Sequence, residues 1–122
     1  MHITNILYFD RHDSEAEVSV SDGLYTVNCY AYPVNSVSVN QCVNGIYGFE
    51  CTNIEKTDKE IYMIKKLSQY YAYMITAQVI AKDKGTVQVG KLCINLDAPI
   101  PNDILIGDYI TFSVLRLDCD FS

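Results

Sequence analysis

The sequence contains no tryptophan and only two histidines, His2 and His12. A serine or cysteine nucleophile needs a general base within hydrogen-bond distance, and histidine is the usual one. Carboxylates on both sides of His12 would raise its pKa and hold it as a base, but the same segment also fits a solvated, charged turn between two strands. We therefore predict no catalytic residue and no enzymatic activity. An enzyme centred on His12 is kept as the third of three hypotheses.

Motifs for metals and cofactors are also missing. The chain has no Walker A motif, no G-x-G-x-x-G and no H-E-x-x-H, which are common signatures of nucleotide binding and of metalloproteases. The five cysteines form no C-x-x-C pair, and Cys42 and Cys51 are too far apart in sequence for a zinc ligand pair. Asp118 and Asp120 share a face if extended, without the further ligands of a calcium or magnesium site. We expect free thiols, no metal and no cofactor.

Long hydrophobic runs are absent as well. A membrane-spanning helix would need roughly 18 consecutive apolar residues. The first residues also lack the basic segment and the cleavage site of a signal peptide. No Gly-, Ser- or Pro-rich linker interrupts the chain, whose length suits one hydrophobic core. We expect a cytoplasmic protein without membrane contact that folds as a single domain over residues 1–122.

Basic residues are scarce. The sequence has nine Lys and Arg and fifteen Asp and Glu, which gives a net charge of −6. The deficit lies in residues 1–61, which hold nine acids and three bases, whereas residues 62–122 hold six of each. An acidic chain repels phosphate backbones and attracts cationic surfaces. The charge therefore favours a basic protein partner over nucleic acid.

The sequence does contain clear β-strand patterning. Residues 18–20 and 24–32 are predicted strands joined by a turn at Asp22-Gly23, since Asp-Gly supplies the positive φ of a tight hairpin. Residues 71–81 and 86–96 predict a second hairpin around the turn at 82–85. The period-two pattern of the first hairpin predicts one buried face, formed by Tyr25, Val27, Cys29 and Ala31.

The remaining segments complete a mainly β prediction. Strands are expected at residues 45–51 and 108–117, and a change of hydrophobic phase at Gly90-Lys91 predicts a β-bulge within the strand at 86–96. Residues 57–60 match a capping box followed by apolar residues at helical spacing. A short helix near 58–68 is therefore predicted, with another strand as the alternative. Together these elements favour a small curled OB-like barrel of antiparallel strands.

A resemblance supports this architecture. The stretch YYAYMITAQVIAKDKGTVQVGKLCINLDAPIPNDILIGDYITFSVLRLD resembles OB-type barrels, in which a long coiled strand after a turn precedes a strand that starts with a G-D-Y-I-like segment. It is also similar to the C-terminal parts of small bacterial proteins of uncharacterised function. The resemblance covers residues 70–118 and implies a barrel fold without implying an activity. The first half departs from it, because Asp22-Gly23 adds a hairpin that the minimal OB fold lacks.

Ten tyrosines form the other marked bias. Tyrosine is enriched at protein interfaces, where it contributes contact area at low entropy cost, and it is also a common half-buried strand residue. The first hypothesis is therefore a protein-binding module, such as an immunity protein or inhibitor, that engages a basic partner. Its candidate binding residues in the acidic half are Asp10, Asp13, Glu15, Glu17, Asp22, Tyr25, Tyr30 and Tyr32.

Two further possibilities stay open from the sequence. An OB-type domain can bind single-stranded nucleic acid by stacking bases on tyrosines, but it needs a cationic groove that only the second half of this chain could supply. An exposed edge strand rich in tyrosine could also pair two copies into a homodimer.

Overall fold

The computed structural model describes residues 1–10, 15–32, 37–67 and 71–120, which form β-strands joined by turns. These ranges contain β1 (His2–Asp10), β2 (Glu15–Ser21), β3 (Thr26–Ala31), β4 (Gly45–Phe49), β5 (Thr52–Thr57), β6 (Met63–Lys66), β7 (Tyr73–Ala81), β8 (Thr86–Val89), β9 (Leu92–Leu96), β10 (Tyr109–Val114) and β11 (Arg116–Asp120). No helix occurs in the described ranges, and so none there is long and apolar enough to cross a membrane.

The strands belong to one mixed sheet in the order β1-β2-β3-β11-β4-β9-β8-β7-β10-β5, and β6 pairs with the first half of β7. The junctions β3–β11 and β4–β9 are parallel, whereas the other ladders are antiparallel. The mainly β prediction is confirmed. The OB-like barrel of antiparallel strands is not confirmed, because the described sheet is not closed into a barrel and contains parallel junctions.

Both predicted hairpins are present. β2 and β3 pair antiparallel around the Asp22-Gly23 turn, with Val18 opposite Cys29. β7 and β8 pair around the turn at 82–85, with Val79 opposite Val87. The predicted buried face of β3 is confirmed for the strand itself, since Val27, Cys29 and Ala31 are buried, while Tyr25 before it is half-buried.

The prediction of a bulge at Gly90-Lys91 is wrong. These two residues form the turn of a tight hairpin between β8 and β9, in which Val89 lies opposite Leu92 and Val87 opposite Ile94. Gly90 has φ +60, as a two-residue turn with glycine first requires. A tight hairpin and a bulge both explain the change of hydrophobic phase, but only the hairpin lets the chain reverse.

The predicted helix near 58–68 is also wrong over the residues that the structure describes. Thr57 Oγ1 accepts a hydrogen bond from Lys59 N–H at 3.2 Å and not from Glu60, so the side chain closes a turn. The chain is then irregular until β6, which pairs antiparallel with β7 and places Ile64 opposite Ile75. The open edge of β7 thus supplies ladder partners that outweigh the helical spacing of the apolar residues.

The predicted last strand is divided into two at Leu115. β10 pairs with β7 and β5, whereas β11 pairs with β4 and β3. Val114 and Leu117 are both buried, so the inward phase shifts by one residue at the break. Arg116 consequently lies on the outer face of the sheet and not in the core.

The buried residues form one hydrophobic cluster, which includes Ile3, Val18, Ile46, Ile75, Ile94, Ile110, Phe112 and Leu117. β3 and β11 meet in parallel at the pair Tyr30 and Asp118. Near this junction the hydroxyl of the buried Tyr73, on β7, accepts a hydrogen bond from Asn28 N–H of β3 at 3.0 Å. The β1–β3 part of the sheet is therefore tied to β7 through the interior.

Asp22 connects two hairpin turns. Its Oδ1 accepts hydrogen bonds from the N–H groups of Leu24 (2.8 Å) and Tyr25 (2.7 Å), and its Oδ2 accepts one from Lys91 N–H at 2.7 Å. Desolvation disfavours the charged carboxylate, but these backbone hydrogen bonds outweigh it and lower the pKa of Asp22. The β2–β3 turn is thus fastened to the β8–β9 turn by an ionised side chain.

Gly90→Ala should destabilise the protein because there is no room for a side chain. A Cβ atom at this position would lie 2.6 Å from Asp22 Oδ2 and 2.7 Å from the Tyr25 ring, at φ +60. We expect the free energy of unfolding, measured by urea denaturation, to fall by about 3–4 kcal/mol. The control is Gly107→Ala, where φ is +96 but nothing lies within 4 Å, so only backbone strain applies and the loss should be about 1–2 kcal/mol. Equal losses in the two variants would contradict this account.

Asp22→Asn should remove a pH-dependent part of the stability. Because folding lowers the pKa of Asp22 below its ordinary value of 3.8, its contribution is complete above that value and disappears as the pH falls through the folded pKa. We expect the variant to be less stable than wild type by about 1–2 kcal/mol at pH 5–7, with the difference shrinking below about pH 4. Urea denaturation at several pH values measures this, with Asp103→Asn, at an exposed turn residue, as the control. A difference that stays constant down to pH 2 would refute it.

Candidate functional site

One row of side chains crosses five strands on the outer face of the sheet. Residues directly opposite each other in a ladder point to the same side. Leu7 lies opposite Glu17, Glu17 opposite Tyr30, Tyr30 opposite Asp118, and Asp118 opposite Tyr47. With their outward neighbours on the same strands, they form what we call the acid–aromatic face: Leu7, Glu15, Glu17, Tyr30, Tyr47, Phe49, Arg116 and Asp118.

Arg116 lies at the centre of the acid–aromatic face. Its guanidinium carbon is 4.7 Å from the centre of the Tyr30 ring and 5.2 Å from that of the Phe49 ring. Its Nε and Nη2 donate hydrogen bonds to the two carboxylate oxygens of Asp118, at 2.7 and 3.0 Å. The guanidinium thus contacts two aromatic rings and forms a bidentate ion pair with a carboxylate. Lysine cannot form this combination of contacts.

Tyr30 is held in place by a second acid. Its hydroxyl donates a hydrogen bond to Glu15 Oε1 at 2.9 Å. Burial raises the pKa of the Tyr30 phenol, and the hydrogen bond to Glu15 raises it further. The phenol therefore remains protonated at neutral pH and acts as a hydrogen-bond donor.

Phe49 ends β4, and Asp97 holds the turn that follows it. The two carboxylate oxygens of Asp97 accept hydrogen bonds from the N–H groups of Glu50 (2.7 Å) and Cys51 (3.0 Å). The bond from Cys51 contributes most to lowering the pKa of Asp97, against the opposing effect of desolvation. This turn, held by two hydrogen bonds, directly follows Phe49, the last residue of β4.

The structure brings three of the candidate binding residues together on the acid–aromatic face, namely Glu15, Glu17 and Tyr30. Tyr32 follows β3 and is exposed. The backbone of Asp10, at the end of β1, lies opposite Glu15. Asp13 lies outside the described residues, as does His12, on which the enzyme hypothesis was centred.

The two remaining candidates lie at the opposite end of the β2–β3 hairpin. Asp22 binds the backbone of two turns, as described above. The Tyr25 ring contacts the Tyr62 ring edge-on, with 5.8 Å between centres, and the Tyr62 ring in turn contacts that of Tyr109 at 5.5 Å. A role of Asp22 and Tyr25 in partner binding stays a prediction.

Sequence reasoning missed five residues of the face, namely Leu7 on β1 and two residues each on β4 and β11. Tyr47 and Phe49 alternate around the buried Gly48, which is a strand signal, but no local pattern indicates that β4 lies beside β11. Arg116 and Asp118 alternate around the buried Leu117 in the same way. The sequence does not reveal the break at Leu115. In an uninterrupted strand, Arg116 would have pointed inward, so its place on the outer face was not predicted.

Metal ligation and the reactivity of the two buried thiols are separate questions for the described residues. In the described ranges no three His, Cys, Asp or Glu side chains are grouped to hold a metal ion. Burial raises the pKa of the Cys51 thiol to about 12, and burial likewise raises that of Cys29. Both thiols are therefore protonated at neutral pH and poor nucleophiles.

Comparison with protein-family models, with curated proteins and with solved structures finds no match to this chain. The function proposed below is accordingly drawn from the chemistry of the acid–aromatic face.

Arg116→Ala should reduce stability by more than the loss of an exposed charge would. The variant loses two ring contacts and a bidentate ion pair. The Arg116 side chain is 40% exposed, so solvent weakens this ion pair. We expect a loss of about 1 kcal/mol in the free energy of unfolding. Arg116→Lys should recover only part of it, because an ammonium group cannot form the fork. The control is Lys84→Ala, at an exposed turn residue, and a loss no greater than in this control would argue against the arrangement.

Proposed function

We propose that this protein is a protein-binding module of the immunity or inhibitor type that engages a basic partner through the acid–aromatic face. The observation that carries the proposal is the grouping of Glu15, Glu17 and Asp118 with exposed aromatic rings on one outward surface. The cation of this surface, Arg116, is already neutralised by Asp118. The net acidic charge of the face is therefore that of Glu15 and Glu17, and it is presented to a partner together with the exposed rings.

The apolar part of the face supports a protein partner. Leu7, Tyr47 and Phe49 are large side chains with more than two-fifths of their surface exposed. Tyr47 and Phe49 lie two residues apart on β4, and aromatic residues together with arginine are enriched at protein interfaces. Burying these side chains against a partner would remove the cost of their exposure to water.

The charge supports a basic partner. Glu15 and Glu17 belong to the acidic half of the chain, which carries the entire net charge of −6. Complementary charge speeds encounter and rejects partners of like charge. A small protein whose target is itself strongly basic would gain both advantages.

The nucleic-acid hypothesis is less favoured. It requires an OB-like barrel with a cationic groove, whereas the described sheet is open and its acid–aromatic face would repel phosphate. We therefore prefer the protein partner.

Glu17→Lys should weaken capture of the partner. In a pull-down from the protein's own cell lysate, we expect the wild type to retain one basic protein stoichiometrically at low salt and to lose part of it at moderate salt. With that protein purified, Glu17→Lys should slow association roughly tenfold and weaken its dependence on salt.

The control is Asp103→Lys, the same charge change at an exposed turn residue outside the face. It should retain the partner. Equal retention by Glu17→Lys and wild type, or recovery of nucleic acid alone, would overturn the proposed function.

A further inference from the structure

The acid–aromatic face contains one bound guanidinium group, that of Arg116. Its partners are two rings and both oxygens of one carboxylate, at the distances given above. The face thus binds this guanidinium by ring stacking and by a bidentate hydrogen bond to a carboxylate. A partner's side chain would meet the same two kinds of contact elsewhere on the face.

Acids and rings alternate along the central row. From β2 to β4 the order is Glu17, Tyr30, Asp118 and Tyr47, each opposite the next. Neighbouring strands are about 4.8 Å apart, so each carboxylate stands next to a ring. A cation placed between neighbours in the row therefore contacts an aromatic ring and an acid together.

Tyr47 and Asp118 make up the last pair of this row, on β4 and β11. Tyr47 is 45% exposed, and the Asp118 side chain keeps 21% of its surface exposed although it binds Arg116. Each oxygen of a carboxylate has two lone pairs, and Arg116 uses one on each. Asp118 therefore retains the capacity to bind a second guanidinium stacked on the Tyr47 ring.

We propose that the partner is recognised through arginine and not lysine side chains, and that Tyr47 with Asp118 receives one such guanidinium. This inference rests on the proposed function and specifies its partner. Guanidinium is planar and weakly hydrated, and it can stack on a ring while it forms a bidentate hydrogen bond to a carboxylate. The ammonium of lysine is compact and strongly hydrated. An acidic surface without rings would attract both residues alike.

The test uses two capped hexapeptides, Arg-Gly-Arg-Gly-Arg-Gly and Lys-Gly-Lys-Gly-Lys-Gly, titrated into the full chain at low salt by calorimetry. We expect the arginine peptide to bind roughly three- to fivefold more tightly than the lysine peptide. Tyr47→Ala should bring the ratio of the two dissociation constants to about one, whereas Tyr47→Phe should preserve it because the ring remains.

The matched control is Tyr8→Ala. Tyr8 is also 45% exposed, but it lies opposite Ala16 and thus on the other face of the sheet. This variant should keep the preference for arginine. Loss of the preference in Tyr8→Ala, or its persistence in Tyr47→Ala, would overturn the assignment of Tyr47.

The outcomes separate this inference from the proposed function. Equal binding of the two peptides by wild type, with both weakened by Glu17→Lys, would overturn the arginine preference and leave the acidic binding surface intact. Binding of neither peptide at low salt would also overturn the inference. The proposed function fails separately, when the pull-down recovers no basic protein that depends on Glu17.

Discussion

The middle of the sheet depends on the hydrogen bond that Leu115 N–H donates to the Phe49 carbonyl oxygen, at 3.0 Å. It lies where the chain passes from β10 to β11 and changes ladder partners. Val114 before it and Leu117 after it both point inward, so the alternation skips one residue and Arg116 turns outward. A regular strand would direct Arg116 into the core, where an unpaired charge costs several kcal/mol. Arg116 and Asp118 belong to the acid–aromatic face because of this shift in alternation.

The same region joins the two parts of the sheet. β3 and β11 share the register pair Tyr30 and Asp118, and contacts on both sides of the sheet support that junction. On the inner side the Tyr73 hydroxyl binds Asn28 N–H, and burial raises the pKa of this phenol, which keeps its proton. On the outer side Arg116 stacks on Tyr30 while it binds Asp118. The candidate site is thus also a structural connection between the N-terminal strands and the rest of the chain.

Local chemistry could be predicted from the sequence, and distant pairing could not. Asp-Gly at 22–23 marked a hairpin, and in the structure Gly23 supplies the positive φ of its turn, at +100. Gly90 gave an ambiguous signal, since a G1 bulge and a two-residue turn both place glycine at positive φ. The apolar spacing after Thr57 fits a helix, but the outcome was decided by the edge of β7, which local sequence does not reveal. For the same reason Glu17 and Tyr30 were identified and the β4 and β11 residues beside them were not.

The alternation of acids and rings reconciles stability with binding. Like charges directly opposite each other destabilise a sheet, but in the row of the face Tyr30 separates Glu17 from Asp118. An acidic chain can therefore carry these carboxylates on β2 and β11, the two strands that flank β3, without placing them side by side. The same spacing leaves each acid next to a ring, which is the arrangement that a guanidinium requires. A partner that follows the row would carry its cations about 10 Å apart, twice the distance between neighbouring strands.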